Sequence, residues 1–178
     1  HKSSSSTQIR GASLALMRMH KKEVVDALLP ILADRENLLF KPSFEILARL
    51  YHQEKPWDRK HWGGRPDTRG PYYEMVTWEQ SERILTALRE ALWKLSKDQV
   101  GEYLSLLGSN RIQDNETLNS LIESAKYDSS LIPVLSAQLS GLKDPPANGL
   151  DVLAAVPAKD KMRGYDLSTI VKCLLNGK

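Results

Sequence analysis

The chain has 178 residues, of which 41% are hydrophobic, and it carries a formal net charge of +3. This composition is that of one folded domain or a short repeat array and excludes a largely disordered chain. The mild charge does not by itself indicate nucleic acid, the single cysteine Cys173 allows no intrachain disulfide, and no apolar run approaches the ~20 residues of a membrane span.

Three amphipathic helices are predicted in residues 1–52, where apolar residues recur every three or four positions. The first helix begins after an N-cap at Ser6-Thr7. The second runs through Val24–Asp34 with Pro30 inside it, and the third carries Phe44, Leu47, Ala48 and Tyr51 on one face. Pro42 fits the first turn of that third helix, where its missing N–H is not needed.

Residues 53–77 form a long loop between the helices. Its prolines and glycines interrupt any continuous helix or strand, and no alternating strand pattern is found anywhere in the chain. We expect the segment Tyr51–Trp78 to be ordered, with Trp62 and Trp78 packed against the flanking helices, because each large ring left in water forfeits ~1.5–3 kcal/mol of burial.

The loop is the candidate binding surface. It interleaves aromatic rings with guanidinium groups, a mixture that is common at interaction hot spots and suits anions, sugars or bases. The alternative interpretation is that the same rings only pin the loop onto the scaffold, and both roles can hold together. The predicted binding residues are Trp57, Arg59, Trp62, Arg65, Arg69, Tyr72 and Tyr73.

Residues 78–178 return to helical patterns. The strongest helix spans about Glu79–Leu95, with Thr77 as its predicted N-cap. The others are expected from Ser96 to Gly108, from Asp114 or Asn115 to Ala125, from Leu131 to a stop at Gly141, from Leu150 to Val156 and from Leu167 to Leu175. The predicted fold class is all-α, with 1–52, 53–77 and 78–178 as parts of one continuous domain.

No catalytic, cofactor or metal site is predicted. His52, His61 and Asp58 match no standard metal spacing, and Gly63-Gly64 lacks the length and ending of a phosphate-binding loop. Cys173 lies on an apolar helix face and is expected to be a buried, unreactive thiol. We therefore expect no enzyme activity within these residues.

The helices on the N-terminal side of the loop resemble HEAT repeats. Helix B of that family begins with Val/Ile-Arg followed by small residues and leucine, as in Ile9-Arg10-Gly11-Ala12-Ser13-Leu14-Ala15-Leu16. Helix A, with its internal proline and closing aspartate, resembles Val25–Asp34. The resemblance implies a HEAT-like α-solenoid of antiparallel helix pairs, a fold in which each pair needs a neighbour to bury its apolar stripe.

The loop itself is similar to a block found after HEAT helices in large exported bacterial proteins that also contain a dehydrogenase-like propeller and a cytochrome c domain. The block is Trp62-Gly63-Gly64-Arg65-Pro66-Asp67-Thr68-Arg69-Gly70-Pro71-Tyr72-Tyr73, in which Gly64 replaces the family's threonine. The resemblance implies a middle segment of an exported redox protein, a location outside the cytoplasm and flanking domains as partners. Because the chain begins His1-Lys2-Ser3 without methionine, we interpret it as a piece of something longer.

Two functions are therefore expected. The first is a non-catalytic helical-repeat scaffold that docks protein domains through the loop. The second is a carbohydrate- or nucleic-acid-binding module that uses the same rings and arginines.

Overall fold

The computed structural model describes residues 2–56 and 74–155. These residues are mostly helical with one pair of short strands, which confirms the all-α class. The elements in chain order are α1 (Lys2–Leu16), α2 (Lys22–Ala33), α3 (Phe40–Leu50), β1 (His52–Glu54), β2 (Met75–Thr77), α4 (Ser81–Trp93), α5 (Lys97–Ser109), α6 (Asn115–Ala125), a 3₁₀ turn (Ser129–Leu131), α7 (Ile132–Ser140) and α8 (Ala147–Ala154). None of these helices is both long enough and apolar enough to cross a membrane.

Several helix boundaries follow the sequence signals. Pro30 lies inside α2 and Pro42 lies in the first turn of α3, as predicted. The N-cap predicted at Ser6-Thr7 is wrong, because α1 already begins at Lys2. Serine is only a modestly poorer helix former than alanine, so a serine run without proline or glycine does not prevent a helix from extending towards its N-terminus.

The chain folds into two compact units. The N-terminal unit holds the residues up to 96 together with 109–112, and the C-terminal unit holds 97–108 and the residues from 113 onwards.

The core of the N-terminal unit forms where α2, α3 and α4 pack against one another, while α1 packs on α3. The apolar positions recur every three or four residues, so each helix presents one stripe to the others. The side chains at the centre are at most 2% exposed: Val25, Leu32, Phe44, Leu47, Ile84 and Leu88.

Helices α2 and α4 lie side by side in parallel. Asp26 pairs with Arg83 near their N-terminal ends, and Lys94 Nζ donates to the carbonyl of Ala33 at 3.4 Å near their C-terminal ends. The sequence separation between partners is 57 residues at the first contact and 61 at the second, so both helices advance in the same direction.

The two parallel helices also cap each other at their C-termini. Ala33 is the last residue of α2, and its carbonyl accepts from Lys94. Lys94 is in turn the C-cap of α4, and its own carbonyl accepts from Arg35 Nη1 at 2.9 Å. Each of these long, positively charged side chains thus donates to a carbonyl at the C-terminus of the other helix, where no donor is available within that helix.

In the C-terminal unit, helices α6, α7 and α8 pack together. Helix α6 begins at Asn115, one of the two expected starts, and Asp114 is its N-cap, which accepts from the backbone N–H of Thr117 at 3.1 Å. Gly141 caps the C-terminus of α7, also as predicted. Gly149 of α8 faces the core so closely that a Cβ there would lie 3.0 Å from Leu139 and 3.2 Å from Ile122.

This close approach predicts opposite effects for two matched substitutions. Gly149→Leu should lower the free energy of unfolding by about 1–3 kcal/mol, because the new side chain overpacks the α6–α8 contact. Gly108→Leu should leave it unchanged or raise it by up to ~0.8 kcal/mol, because a Cβ at this exposed helical glycine meets nothing within 4 Å. Urea unfolding measures both, and equal losses in the two variants would contradict the packing of α8.

Candidate functional site

The predicted binding residues lie outside the described part of the chain. This holds for Trp57, Arg59, Trp62, Arg65, Arg69, Tyr72 and Tyr73, and also for Cys173 and the predicted helix over 167–175. The structure does describe both ends of the loop and the scaffold to which they attach. We call this junction the loop neck, comprising β1, β2 and the residues that tie them to the helices: His20, Leu50, Tyr51, Trp78, Ser81 and Asn110.

A two-stranded antiparallel ribbon brings the two ends of the loop together. His52 pairs with Thr77, and Glu54 pairs with Met75. The ribbon continues beyond the strands, where the N–H of Lys55 donates to the carbonyl of Glu74 at 2.9 Å and the two side chains form an ion pair at 3.1 Å. The prediction that the chain contains no strand is therefore wrong here, because two segments of three residues are too short to produce an alternating pattern.

Three consecutive carbonyl groups, where α3 ends and β1 begins, each accept a hydrogen bond from a distant side chain. Leu50 O accepts from the indole Nε1 of Trp78 at 2.7 Å, and Tyr51 O accepts from the hydroxyl of Ser81 at 2.6 Å. His52 O accepts from Nε2 of His20 at 2.8 Å. The last carbonyls of a helix have no intrahelical donor, so Trp78 and Ser81 act as the C-terminal cap of α3, while His20 binds the first residue of β1.

Ser81 links both ends of the loop through one hydroxyl. Besides donating to Tyr51 O, its Oγ accepts from the backbone N–H of Trp78 at 2.8 Å, and the residue is fully buried. The prediction that Thr77 is the N-cap of this helix is wrong. Thr77 is the last residue of β2, and α4 begins at Ser81 after a turn through Gln80 that makes no side-chain capping bond.

Aromatic rings fill the space around these hydrogen bonds. The imidazole of His20 meets the indole of Trp78 edge-on, with ring centroids 5.3 Å apart at 76°. The rings of Tyr51 and His52 make a similar contact at 4.5 Å and 71°. The predicted packing of Trp78 against a flanking helix is confirmed, whereas Trp62 lies outside the described residues.

Both histidines of the neck are held as neutral hydrogen-bond donors. His52 Nδ1 faces the carbonyl of Asn110 at 3.3 Å, as His20 Nε2 faces that of His52, so each of these nitrogens carries a proton. Burial lowers the pKa of His20, a change that the hydrogen bond to His52 opposes and the nearby Arg49 reinforces. Burial also lowers the pKa of His52, against the effect of its hydrogen bond to Asn110.

The chemistry of the neck is that of a structural joint. One nitrogen of each imidazole is already committed to a backbone carbonyl, and the described residues hold no group of three or more His, Cys, Asp or Glu that could bind a metal ion. What the neck does is fix where the loop leaves the scaffold and where it returns.

The sequence indicated the loop but missed most of its anchors. Neither His20 nor Asn110 stands out, because each contributes through a partner that lies 32 or 58 residues away. Ser81, at the start of the apolar stripe of α4, is the one anchor that local signals could have indicated, since serine is common at the beginning of helices.

Comparison with known proteins finds no match: no family model, no curated protein and no solved structure is similar to this chain. The described residues define a mostly helical protein in which a two-stranded ribbon joins the two ends of a loop.

Removal of the Ser81 hydroxyl should destabilise the fold. We expect Ser81→Ala to lower the free energy of unfolding by about 1–3 kcal/mol, because Tyr51 O and the N–H of Trp78 both lose a buried partner. The control is Ser13→Ala, which removes an exposed hydroxyl that bonds Ile9 O within α1 and should change stability by less than ~0.5 kcal/mol. Chemical denaturation gives both values, and an equally small loss at Ser81 would refute the clamp.

The lowered histidine pKa values predict that acid weakens the fold. As the pH falls through 6.5, the usual histidine value, the unfolded chain takes up protons before the folded chain does. Stability should thus be constant above this region and should decrease as the pH falls towards the lower folded pKa values.

The test compares melting curves of the wild type and of His20→Gln/His52→Gln between neutral and mildly acidic pH. A glutamine amide still donates but does not titrate here, so the double variant should lose less stability on acidification. Asp26 also has a lowered pKa, from its hydrogen bonds with Lys22 and Arg83. Its effect on stability appears only at pH values below the usual 3.8, which are more acidic than those of this test. Identical pH dependence in both proteins would show that these imidazoles do not control it.

Proposed function

We propose that this chain is a HEAT-like helical-repeat scaffold, a non-catalytic segment that docks a protein partner through the loop of residues 53–77. The observation that carries the proposal is the loop neck, which anchors both ends of an aromatic and cationic segment to one place on a helical core. A connection of this length between packed helices is typically functional.

The repeat interpretation is supported by the order in which the helices pack. In a stack of helix pairs, the first helices of successive pairs are neighbours, and so are the second helices. Within the N-terminal unit, α2 and α4 are parallel neighbours, and α1 packs on α3. Within the C-terminal unit α6 contacts α8, and Gly101 of α5 lies against Val134 of α7.

Display of the loop is supported by the contacts at its base. The paired strands bring Lys55 and Glu74 together, so the chain between them leaves and returns at one point. Seven of the residues in 53–77 are tryptophan, tyrosine or arginine, the side chains enriched at interaction hot spots. In the context that the resemblance implies, the partners are domains adjoining this segment in an exported redox protein.

The experiment measures binding of those adjoining domains, expressed separately, to the full chain and to Arg65→Ala/Arg69→Ala. We expect the double variant to bind at least ~10-fold more weakly while its melting temperature is retained, because truncation of hot-spot arginines costs ~2 kcal/mol or more. The matched control is Lys126→Ala/Lys143→Ala, which removes the same charge from exposed positions in the C-terminal unit.

Other outcomes identify other functions. A fall in melting temperature with unchanged affinity would make the two arginines structural and would remove the loop from the interface. Binding to a single-stranded oligonucleotide that weakens steeply with salt would replace the proposal with nucleic-acid binding. Binding to oligosaccharides with little salt dependence would instead favour the carbohydrate alternative.

A further inference from the structure

The net positive charge of the chain is concentrated on and just after α1. Residues 1–22 contain five lysines and arginines and no aspartate or glutamate, so without them the chain would be net negative. Of these cations, Lys22 forms an ion pair within α2. The guanidinium groups of Arg10 and Arg18 are exposed, and no side chain or carbonyl pairs with them in the part of the chain that the structure describes. Both are therefore available to a partner.

These two arginines flank an exposed leucine on one face of α1. Arg10, Leu14 and Arg18 follow one another at four-residue spacing, which places their side chains in one row along a helix. The helical course continues as far as Arg18, whose N–H donates to the carbonyl of Ala15 at 3.2 Å. Leu14 is 53% exposed, and a Cβ at the neighbouring Gly11 would meet nothing within 4 Å, so the space over this face is open. We call Arg10, Leu14 and Arg18 the cationic row.

Helix α4 carries an acidic row of the same length. Glu82, Thr86 and Glu90 are all exposed and follow one another at the same four-residue spacing. Neither carboxylate forms an ion pair within residues 2–56 and 74–155, and the Thr86 hydroxyl is engaged by the carbonyl of Glu82 at 3.0 Å. Trp93, three residues after Glu90 on the same face, is 58% exposed. We call Glu82, Thr86 and Glu90 the acidic row.

The two rows match in length and are opposite in charge. The outer residues of each row are eight positions apart, which corresponds to ~12 Å along a helix axis. Two helices placed side by side would therefore bring both carboxylates to both guanidinium groups and Leu14 to the methyl group of Thr86. Because each row has its charges at the ends, the match holds for either direction of the helices. Within one molecule the rows do not meet, since their charged groups are unpaired.

We propose that a second copy of this chain is the partner, and that the cationic row of one molecule docks on the acidic row of the next. The two surfaces differ, so the contact is heterologous, and each copy keeps one surface of each kind for further copies. A contact between two helices of this length is smaller than the about 1,000 Å² that marks a stable interface, so the association is weak and reversible. This inference does not depend on the loop being a binding site.

Charge reversal tests the contact. In sedimentation velocity at low salt, the average mass of the full chain should rise with protein concentration, and added salt should reduce the rise. Arg10→Glu/Arg18→Glu should abolish the rise, and so should Glu82→Arg/Glu90→Arg, because each variant presents two rows of the same sign. All four positions are exposed, so both variants should keep their melting temperature. A wild-type chain that stays monomeric up to ~1 mM at low salt would overturn the proposal.

Mixing the two variants gives the sharper result. An equimolar mixture should regain the rise in mass, because each variant then supplies rows whose charge is opposite to those of the other. If the mixture stays monomeric, the two rows are not in contact and the proposal fails.

The matched control is Lys126→Glu/Lys143→Glu, which changes the net charge as much as the arginine variant does, but at exposed positions of the C-terminal unit. It should associate as the wild type does. An equal loss of association in this control would mean that net charge, and not the cationic row, governs the association.

A loop variant separates this inference from the proposed function. Replacement of residues 57–73 by a short glycine–serine linker should leave self-association unchanged while abolishing any docking of adjoining domains through the loop. If the replacement abolishes self-association as well, the loop makes the contact between copies and the proposed pairing of the two rows fails.

Discussion

The carbonyl groups at the end of a helix must find donors, and the way α3 meets this requirement determines how the rest of the N-terminal unit is joined. At the end of α3, Leu50 and Tyr51 obtain their donors from Trp78 and Ser81, and the next carbonyl, that of His52 in β1, obtains its donor from His20. An unpaired buried carbonyl costs about 1–3 kcal/mol, and these three carbonyls are buried or partly buried, so they favour the arrangement that supplies all three donors. The end of one helix thereby fixes the start of α4, the link before α2 and both ends of the loop.

This joint explains how a long insertion is accommodated between packed helices. α3 and α4 are in direct contact, although 30 residues separate their facing ends. A connection between neighbouring helices usually needs only a few residues. Because the β1–β2 ribbon closes at the base of the insertion, the helices pack as if a short turn joined them, and the loop adds little to the constraints on the core.

The sequence predicted those features that depend on neighbouring residues. Pro30, Pro42 and the stop at Gly141 each follow from local backbone chemistry, and each lies where it was expected. Helix α6 begins at Asn115, one of the two starts that the sequence left open. The caps at Ser6-Thr7 and Thr77 failed because residues with capping side chains are also compatible with helices and strands.

The anchors of the candidate site could not be predicted in the same way. His20 and Asn110 contribute to the neck only because the fold brings them to His52 from 32 and 58 residues away, and no periodicity encodes such contacts. The loop was recognised from its composition, but its seven predicted binding residues stay predictions, since they lie outside the described ranges.

The parallel alignment of α2 and α4 has an electrostatic consequence. Each helix carries about half a negative charge at its C-terminus. Two C-termini side by side therefore repel, in contrast to an antiparallel pair, whose opposite ends attract. Two side-chain cations lie at these C-termini: Arg35 donates to the carbonyl of Lys94, and Lys94 donates to the carbonyl of Ala33. Any further helix stacked in the same direction would add another negative end there and would need a cation of its own.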